Sequence, residues 1–406
     1  MHKCVIVCIL QVDLEYYILL CPSGCNEVMV RVLHIMDENT KYLIALSLLK
    51  GIGPITAKNL IAHVGEPQKI FTESTRSLLK IPNIGQLTVD VLRDTDEVFR
   101  RADEEIEFMQ RYGIEPVSYI DNPRYPERLL QCDDSPIVLY VKGEVDLNRQ
   151  KVLSIVGTRQ PSEEGKEICE RIVADLAANH PDLLIVSGLA YGIDICAHRS
   201  AMRSNVATVA VLAHGLDIIY PSAHREAARQ LLETGALITE YPSQTKPDAP
   251  NFVARNRIVA GISAATMVVE SGEKGGSLIT ANMASSYSRE VFAVPGSPKH
   301  DKSRGCNALI KRNIASLVES AEDIEKELNW TNKNTEKAVQ PSLFAQPAND
   351  EEKSIYSALL VENELTASVL SSRCKMPVSK INTLLLGMEF SGLVKSLPGN
   401  RYRLCN

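Results

Sequence analysis

Val152-Leu153-Ser154-Ile155-Val156-Gly157-Thr158-Arg159-Gln160-Pro161-Ser162 is the stretch that decides the fold. Its first five residues are almost wholly apolar. The next six carry glycine, proline and polar side chains. Such a run reads as a strand buried on both faces and ended by a loop. A helical pattern at 163–178 follows, and the alternation then repeats. Strands are predicted at 183–188, 206–212, 237–239, 266–270 and 291–294, with helices at 193–202, 224–233, 252–262 and 278–288. Apolar strands alternating with helices predict an α/β, Rossmann-like, doubly wound and mainly parallel sheet. Ligands of such folds sit at the carboxyl ends of the strands.

Outward from this core, residues 36–112 read as a small helical domain. Gly51-Ile52-Gly53-Pro54 and Ile81-Pro82-Asn83-Ile84-Gly85 separate short helices, the pattern of helix-hairpin-helix or SAM-like units. Glycine turns of this kind either bring backbone near a phosphate or simply join helices. Residues 113–330 form the Rossmann-like domain. Residues 331–350 lack apolar periodicity and are a linker. Residues 351–406 show three helices and a hairpin around Pro398-Gly399-Asn400, a winged-helix pattern that reads DNA or binds protein. Residues 1–35 are expected to be a non-native or disordered leader, with translation starting at Met36. A native peptide from residues 5–31 in mass spectrometry would end that idea.

A chain of 406 residues with 45% hydrophobic residues is long enough for several cores. The net charge of −6 argues against an overall basic coat and leaves room for a local basic groove. The ten cysteines contain no C-x-x-C pair and read as reduced cytoplasmic thiols, so neither a metal site nor a disulfide framework is expected. No apolar run approaches the about 20 residues of a spanning helix, and no membrane association is expected.

The chemistry lies in the loops. Gly157, Thr158 and Arg159 precede Ser162, which is placed to cap the next helix; with the helix entry they make an anion site. Ser187-Gly188-Leu189-Ala190-Tyr191-Gly192-Ile193-Asp194 follows the second strand. Phe252, Arg255 and Arg257 open a later helix. Lys274, Gly275, Gly276 and Ser277 open another. The G-x-G-x-x-G and G-x-x-x-x-G-K-[ST] fingerprints are missing, and no nucleophile–base arrangement stands at the strand ends. Arginines neutralise phosphates and do little acid–base chemistry at neutral pH. With an aromatic among them they suit a groove that tracks a nucleic-acid strand and stacks a base. No cofactor and no catalytic residue is therefore assigned.

Ile155-Val156-Gly157-Thr158-Arg159, the Ser187–Asp194 stretch, Ala197-His198, Ile219-Tyr220-Pro221, Glu240-Tyr241-Pro242, Arg255-Asn256-Arg257, Gly275-Gly276-Ser277-Leu278-Ile279-Thr280 and Ala293-Val294-Pro295-Gly296 occur in one order. In this the chain resembles the DNA-processing protein A (DprA, or Smf) family over about residues 40–320, and the C-terminal domain fits as well. The resemblance implies a dimeric recombination mediator, not an enzyme. Such a protein binds single-stranded DNA, loads RecA recombinase past single-strand-binding protein, and serves natural transformation (competence) in the cytoplasm. It implies that Arg159 is the arginine of the G-[ST]-R loop, that Phe252 stacks a base, and that Arg255 and Arg257 are the R-N-R pair. Many members carry a basic residue where this chain has Tyr191, which either forfeits a phosphate contact or stacks a base. Lys246 and Arg199 are candidates to compensate.

Structural readings stand beside these. Arg159 contacts DNA or braces loops. Phe252 stacks a base or fills core. Arg255 and Arg257, two residues apart, cannot share a helix face, so one is free for DNA while the other holds a carboxylate such as Glu240 or Asp194. Asp194 and His198 are taken as hydrogen-bonding partners, not a catalytic pair. Two other functions compete. One is cleavage of nucleoside-monophosphate glycosidic bonds, whose P-G-G-x-G-T-x-x-E loop is matched here without the glutamate. The other is a protein-docking adaptor.

Overall fold

The computed structural model describes residues 5–11, 14–20, 38–120, 122–330, 349–362, 364–390, 393–397 and 401–404. Strands β1 (Val5–Gln11) and β2 (Leu14–Leu20) pair as an antiparallel hairpin, which does not bear on where translation begins. Cys4, Cys21 and Cys25 lie outside the described residues, as do 331–348 and Pro398-Gly399-Asn400. Residues 1–330 and 331–406 form two separate units.

The first unit is built on nine strands: β3 (Glu115–Ser118), β4 (Val138–Lys142), β5 (Val152–Val156), β6 (Leu184–Ser187), β7 (Ala207–Val211), β8 (Ala236–Thr239), β9 (Ala265–Val268), β10 (Glu290–Ala293) and β11 (Ser316–Leu317). Their order is β11-β10-β9-β5-β6-β7-β8-β4-β3. From β11 to β8 every pairing is parallel, while β4 and β3 join antiparallel at one edge. The chain thus starts its parallel sheet in the middle, winds outward through β8, and returns beside β5 with β9. The expected doubly wound fold is present.

Because successive side chains leave a strand on opposite faces, β5 serves two cores. Val152 and Val156 meet Ile258, Val259, Ala281 and Ala284 from helices Ala249–Ile262 and Gly276–Ser286. Leu153 and Ile155 meet Cys169, Ile172, Val173, Leu176 and Ala197 from helices Glu163–Asn179 and Ile193–Arg203. Both faces are covered, which is why the strands lack polar alternation. Ser154, polar at the centre of β5, is satisfied by donating to the Val259 carbonyl at 2.6 Å.

The helices between residues 38 and 112 share one apolar core with β4: Leu43, Leu46, Leu60, Ile70 and Met109 contact Ile137, Val138 and Tyr140. Polar groups fix the same seam. Lys58 donates to Cys132 O, Asp133 O and Ser135 Oγ. Buried Glu105 accepts from Ser243 N and, at 2.5 Å, from Ser243 Oγ, and it also pairs with Arg101 at 2.8 Å. The first glycine turn abuts the strand ends where β8 stops and β4 begins, and Ile52, Gly53 and Pro54 share a hollow there with Pro136, Ile137, Glu240 and Tyr241.

In the second unit, helices Asp350–Val361, Ala367–Cys374 and Val378–Phe390 surround Ile355, Leu359, Leu370, Ile381 and Leu385. A three-stranded sheet closes it: β12 (Leu365–Thr366), β13 (Val394–Leu397) and β14 (Arg401–Leu404), with β14 central. This is the expected winged-helix arrangement. Among the described residues, no helix is long and apolar enough to cross a membrane.

Candidate nucleic-acid interface

The strand order reverses between β5 and β9, so the loops leaving their carboxyl ends frame the crevice where ligands of open α/β sheets bind. The β5 loop is held rigidly. Thr158 N donates to Glu270 O at 2.8 Å. Ser162 N and Oγ donate to the Glu270 carboxylate at 2.8 and 2.5 Å, while Ser162 Oγ accepts from Gly165 N and caps the helix. A Cβ at Gly157 would sit 2.5 Å from Ile193, so only glycine passes there. Arg159 projects into solvent and forms no ion pair among the described residues. Its guanidinium lies over the ring of Phe252, 5.4 Å from the centroid.

The β6 loop lies directly against it. Gly192 has φ +84°, and a Cβ there would meet Thr158 O at 2.2 Å. Leu189 is left-handed at φ +56°, and buried histidines hold it: His198 Nε2 accepts from Leu189 N at 3.3 Å, and His224 Nδ1 donates to Leu189 O at 2.8 Å. His198 Nδ1 donates to Thr208 Oγ1, whose own proton goes to Ile185 O. This chain needs a neutral ring, and burial holds the His198 pKa down to about 3. Asp194 accepts from Gly188 N at 3.1 Å. Burial raises its carboxyl above the ordinary range, against the pull of the Arg255 guanidinium. Asp194 and His198 are therefore structural, as expected, but each holds a different backbone N–H of this loop, not the other's side chain. Ser187 is buried and donates to Ile155 O at 2.6 Å, so it faces the sheet and not the crevice. Tyr191 is 48% exposed and sits edge-on to His224.

The R-N-R pair needs correction. The expectation left one arginine free for DNA, and both are turned inward. Arg257 grips Glu240 with both nitrogens, the side chains being only 11% and 14% exposed. Arg255 is 4% exposed, donates to Val211 O, and lies where a Cβ on Gly188 would strike it. Helix Ala249–Ile262 sits on the sheet, and residues 255 and 257 fall on the parts of it that other elements cover. Phe252, one turn earlier, stays half-buried at the rim.

In the β9 loop, Lys274 and Gly276 are exposed. Gly275 approaches Ser271 so closely that a Cβ would lie 2.2 Å from its Oγ. Ser277 is buried and donates to Ser271 Oγ at 2.9 Å, so it braces the loop from inside. Lys246 is exposed. Arg199 lines a separate hollow with Asn205 and Thr234, which precede β7 and β8, so it lies toward the amino edge of the sheet. Sequence reasoning missed Tyr220 as a site residue. It is 44% exposed, with its ring 5.7 Å from that of Phe252. Its signal was an aromatic in a loop after a parallel strand.

Among the described residues, no three His, Cys, Asp or Glu side chains converge as metal ligands. Cys132, Cys169, Cys196, Cys306 and Cys374 are free thiols.

The arrangement defines a Rossmann-like protein whose crevice offers a solvent-facing arginine and aromatic faces. The family described as DNA recombination-mediator protein A matches residues 117–329, and the DprA winged helix domain matches 339–400. Protein Smf of Synechocystis sp. is 30% identical over 401 residues, which cover 90% of this chain and 99% of that protein. Protein Smf of Escherichia coli is 34% identical over 327 residues, covering 77% and 87%. The X-ray structure of DNA processing protein A (DprA) from Streptococcus pneumoniae is similar with a TM-score of 0.56 and 31% identity, covering 72% of this chain and 98% of that one. The chain belongs to the DNA recombination-mediator protein A (DprA/Smf) family.

Proposed function

We propose that this chain binds single-stranded DNA along the carboxyl rim of its parallel sheet and passes it to RecA recombinase. It would do so past single-strand-binding protein, during homologous recombination and natural transformation. In this reading residues 113–330 form the DNA-binding domain and the dimer contact. Residues 36–112 and 351–406 flank it, the latter through the 331–350 linker, and the protein works in the cytoplasm. The observation that carries the reading is Arg159 over Phe252, with Tyr220 beside them. A guanidinium free of carboxylates suits a phosphate. Exposed aromatic faces suit bases that have left a duplex, because paired bases keep their own faces stacked. The contact set is accordingly Arg159, Tyr191, Tyr220, Phe252 and Lys274 with the loop backbone at Gly157, Gly275 and Gly276; the Gly188 and Thr158 N–H groups are spent on Asp194 and on Glu270 O and belong to the scaffold. Arg255, Arg257, Ser187 and Ser277 hold the scaffold.

Binding, as opposed to bond cleavage, is favoured by the state of the nearest acid–base groups. His198 and Asp194 are buried, and both are spent on loop hydrogen bonds. The test is a gel shift with single- and double-stranded oligonucleotides at two salt concentrations. A marked preference for the single strand, weakening with salt, is expected. Equal or stronger duplex binding would overturn the reading. RecA filament growth on DNA coated with single-strand-binding protein, with and without this chain, tests the handover, and sedimentation tests the dimer.

A further inference from the structure

The loops leaving β9 and β10 are fused through their backbones. Ser271 N donates to Lys302 O at 2.8 Å, and Gly305 N donates to Ser271 O at 2.9 Å. A Cβ on Gly305 would lie 2.5 Å from Gly272 O, so no side chain separates the two loops. On this joined surface Lys274, Lys299, Lys302 and Arg304 are all exposed. Asp301 is taken by Arg304 at 3.2 Å. Lys274, Lys299 and Lys302 form no ion pair among the described residues. The remaining carboxylate, Glu273, leaves a local excess of positive charge in a chain whose net charge is −6.

The position of this patch gives it meaning. Across the sheet the carboxyl ends run β10, β9, β5, β6, β7, β8. The loops after the first three present Lys299 and Lys302, then Lys274, then Arg159. The next two present Tyr191 and Tyr220, and Phe252 stands on the helix that follows β8. One half of the rim is cationic and the other aromatic. From β10 to β7, whose loop carries Tyr220, four strand spacings of about 4.8 Å make a path of about 19 Å, several times the about 3.4 Å axial rise per phosphate of a stacked strand.

We propose that Lys299 and Lys302, together with Lys274, hold the sugar–phosphate backbone of a strand whose adjoining bases lie on the Tyr191, Tyr220 and Phe252 rings. The inference rests on the single-strand reading above and divides that site into a phosphate-holding half and a base-holding half. A short strand fills the aromatic half and reaches Arg159. Only a longer one reaches the two lysines.

Fluorescence anisotropy of the full chain with labelled oligothymidines of about 4 and about 12 nucleotides tests this over a range of salt. In a K299A/K302A variant the short strand should bind as in the parent. The long strand should lose roughly tenfold at low salt, and its log–log salt slope should fall by about 1.4, at about 0.7 per phosphate of a single strand. K299E/K302E should weaken the long strand further. Both residues are exposed, so the unfolding midpoint should not move. If both variants bind the long strand with parental affinity and slope while Arg159→Ala weakens it, the two-part site is wrong and the single-strand reading stands. If the parent binds neither strand, both fall.

Discussion

The Arg159 guanidinium and the Phe252 ring face each other across 5.4 Å, although 93 positions separate them in the chain (252 − 159). The β5 loop supplies one and the helix after β8 supplies the other. Neither is fully buried. Their contact orients the guanidinium without neutralising it, because an aromatic face attracts a cation and carries no charge.

Arg159 should therefore govern the electrostatic part of DNA binding. Arg159→Ala should weaken single-strand binding about equally for all sequences and lower the salt slope by about 0.7–1. Anisotropy titrations at several salt concentrations check this. An unchanged slope would remove Arg159 from the interface.

Phe252 should govern the part that depends on bases. Phe252→Ala should cost about 1–3 kcal/mol of affinity and leave the salt slope intact. A strand carrying abasic sites should bind the parent more weakly and the variant no more weakly than a normal strand does. Equal discrimination by both proteins would return Phe252 to the core.

Arg257 is expected to behave in the opposite way. Its loss leaves Glu240 buried without a counter-charge, which typically costs about 3–5 kcal/mol. Arg257→Ala should shift the urea midpoint sharply while the folded fraction keeps the parental salt slope. A lowered slope with unchanged stability would make Arg257 a DNA contact after all.

His198 makes the bracing of the β6 loop sensitive to acid. Its folded pKa of about 3 lies below the unfolded value of 6.5. The unfolded chain thus binds the extra proton between those limits. The stabilising effect of the neutral ring is complete above pH about 6.5 and is lost as pH falls toward about 3, at up to about 1.4 kcal/mol per pH unit. Burial lowers His214 in the same direction. Urea midpoints from pH 7 to pH 4 should fall in the parent and fall less steeply in His198→Gln. Parallel curves would contradict this.

Gly192 ties the β6 loop to the Arg159 loop. Gly192→Ala forces a side chain into a left-handed backbone and into Thr158 O, 2.2 Å away. A loss of about 1–3 kcal/mol in stability is expected, with weaker DNA binding as the Arg159 loop shifts. Retention of both stability and affinity would show that the two loops move independently.

Much of this was legible in the chain itself. Val152–Val156, Leu184–Ser187 and Ala207–Val211 announce themselves because strands covered on both faces must be apolar throughout. The loops after them were equally plain, since glycine, serine and arginine cluster where strands end. Glu115–Ser118 and Val138–Lys142 were not read as strands. They are short strands that pair antiparallel at one side of the sheet, the first forming its edge and the second lying between it and β8, with Pro116 inside one and Pro136 shortly before the other, so no helix–strand alternation marked them.

The amino-acid order alone determined the parallel sheet, the position of its loops, and the presence of cations and an aromatic among them. Those follow from periodicity and from where glycine is needed, which are properties of neighbouring residues. Only the tertiary structure decided which cations face water. Arg159 and Arg257 are the same chemical group, yet one points out from a loop while Glu240, 17 positions away, claims the other. Exposure is set by what the rest of the chain places on top of a residue, and that depends on packing across the whole sheet.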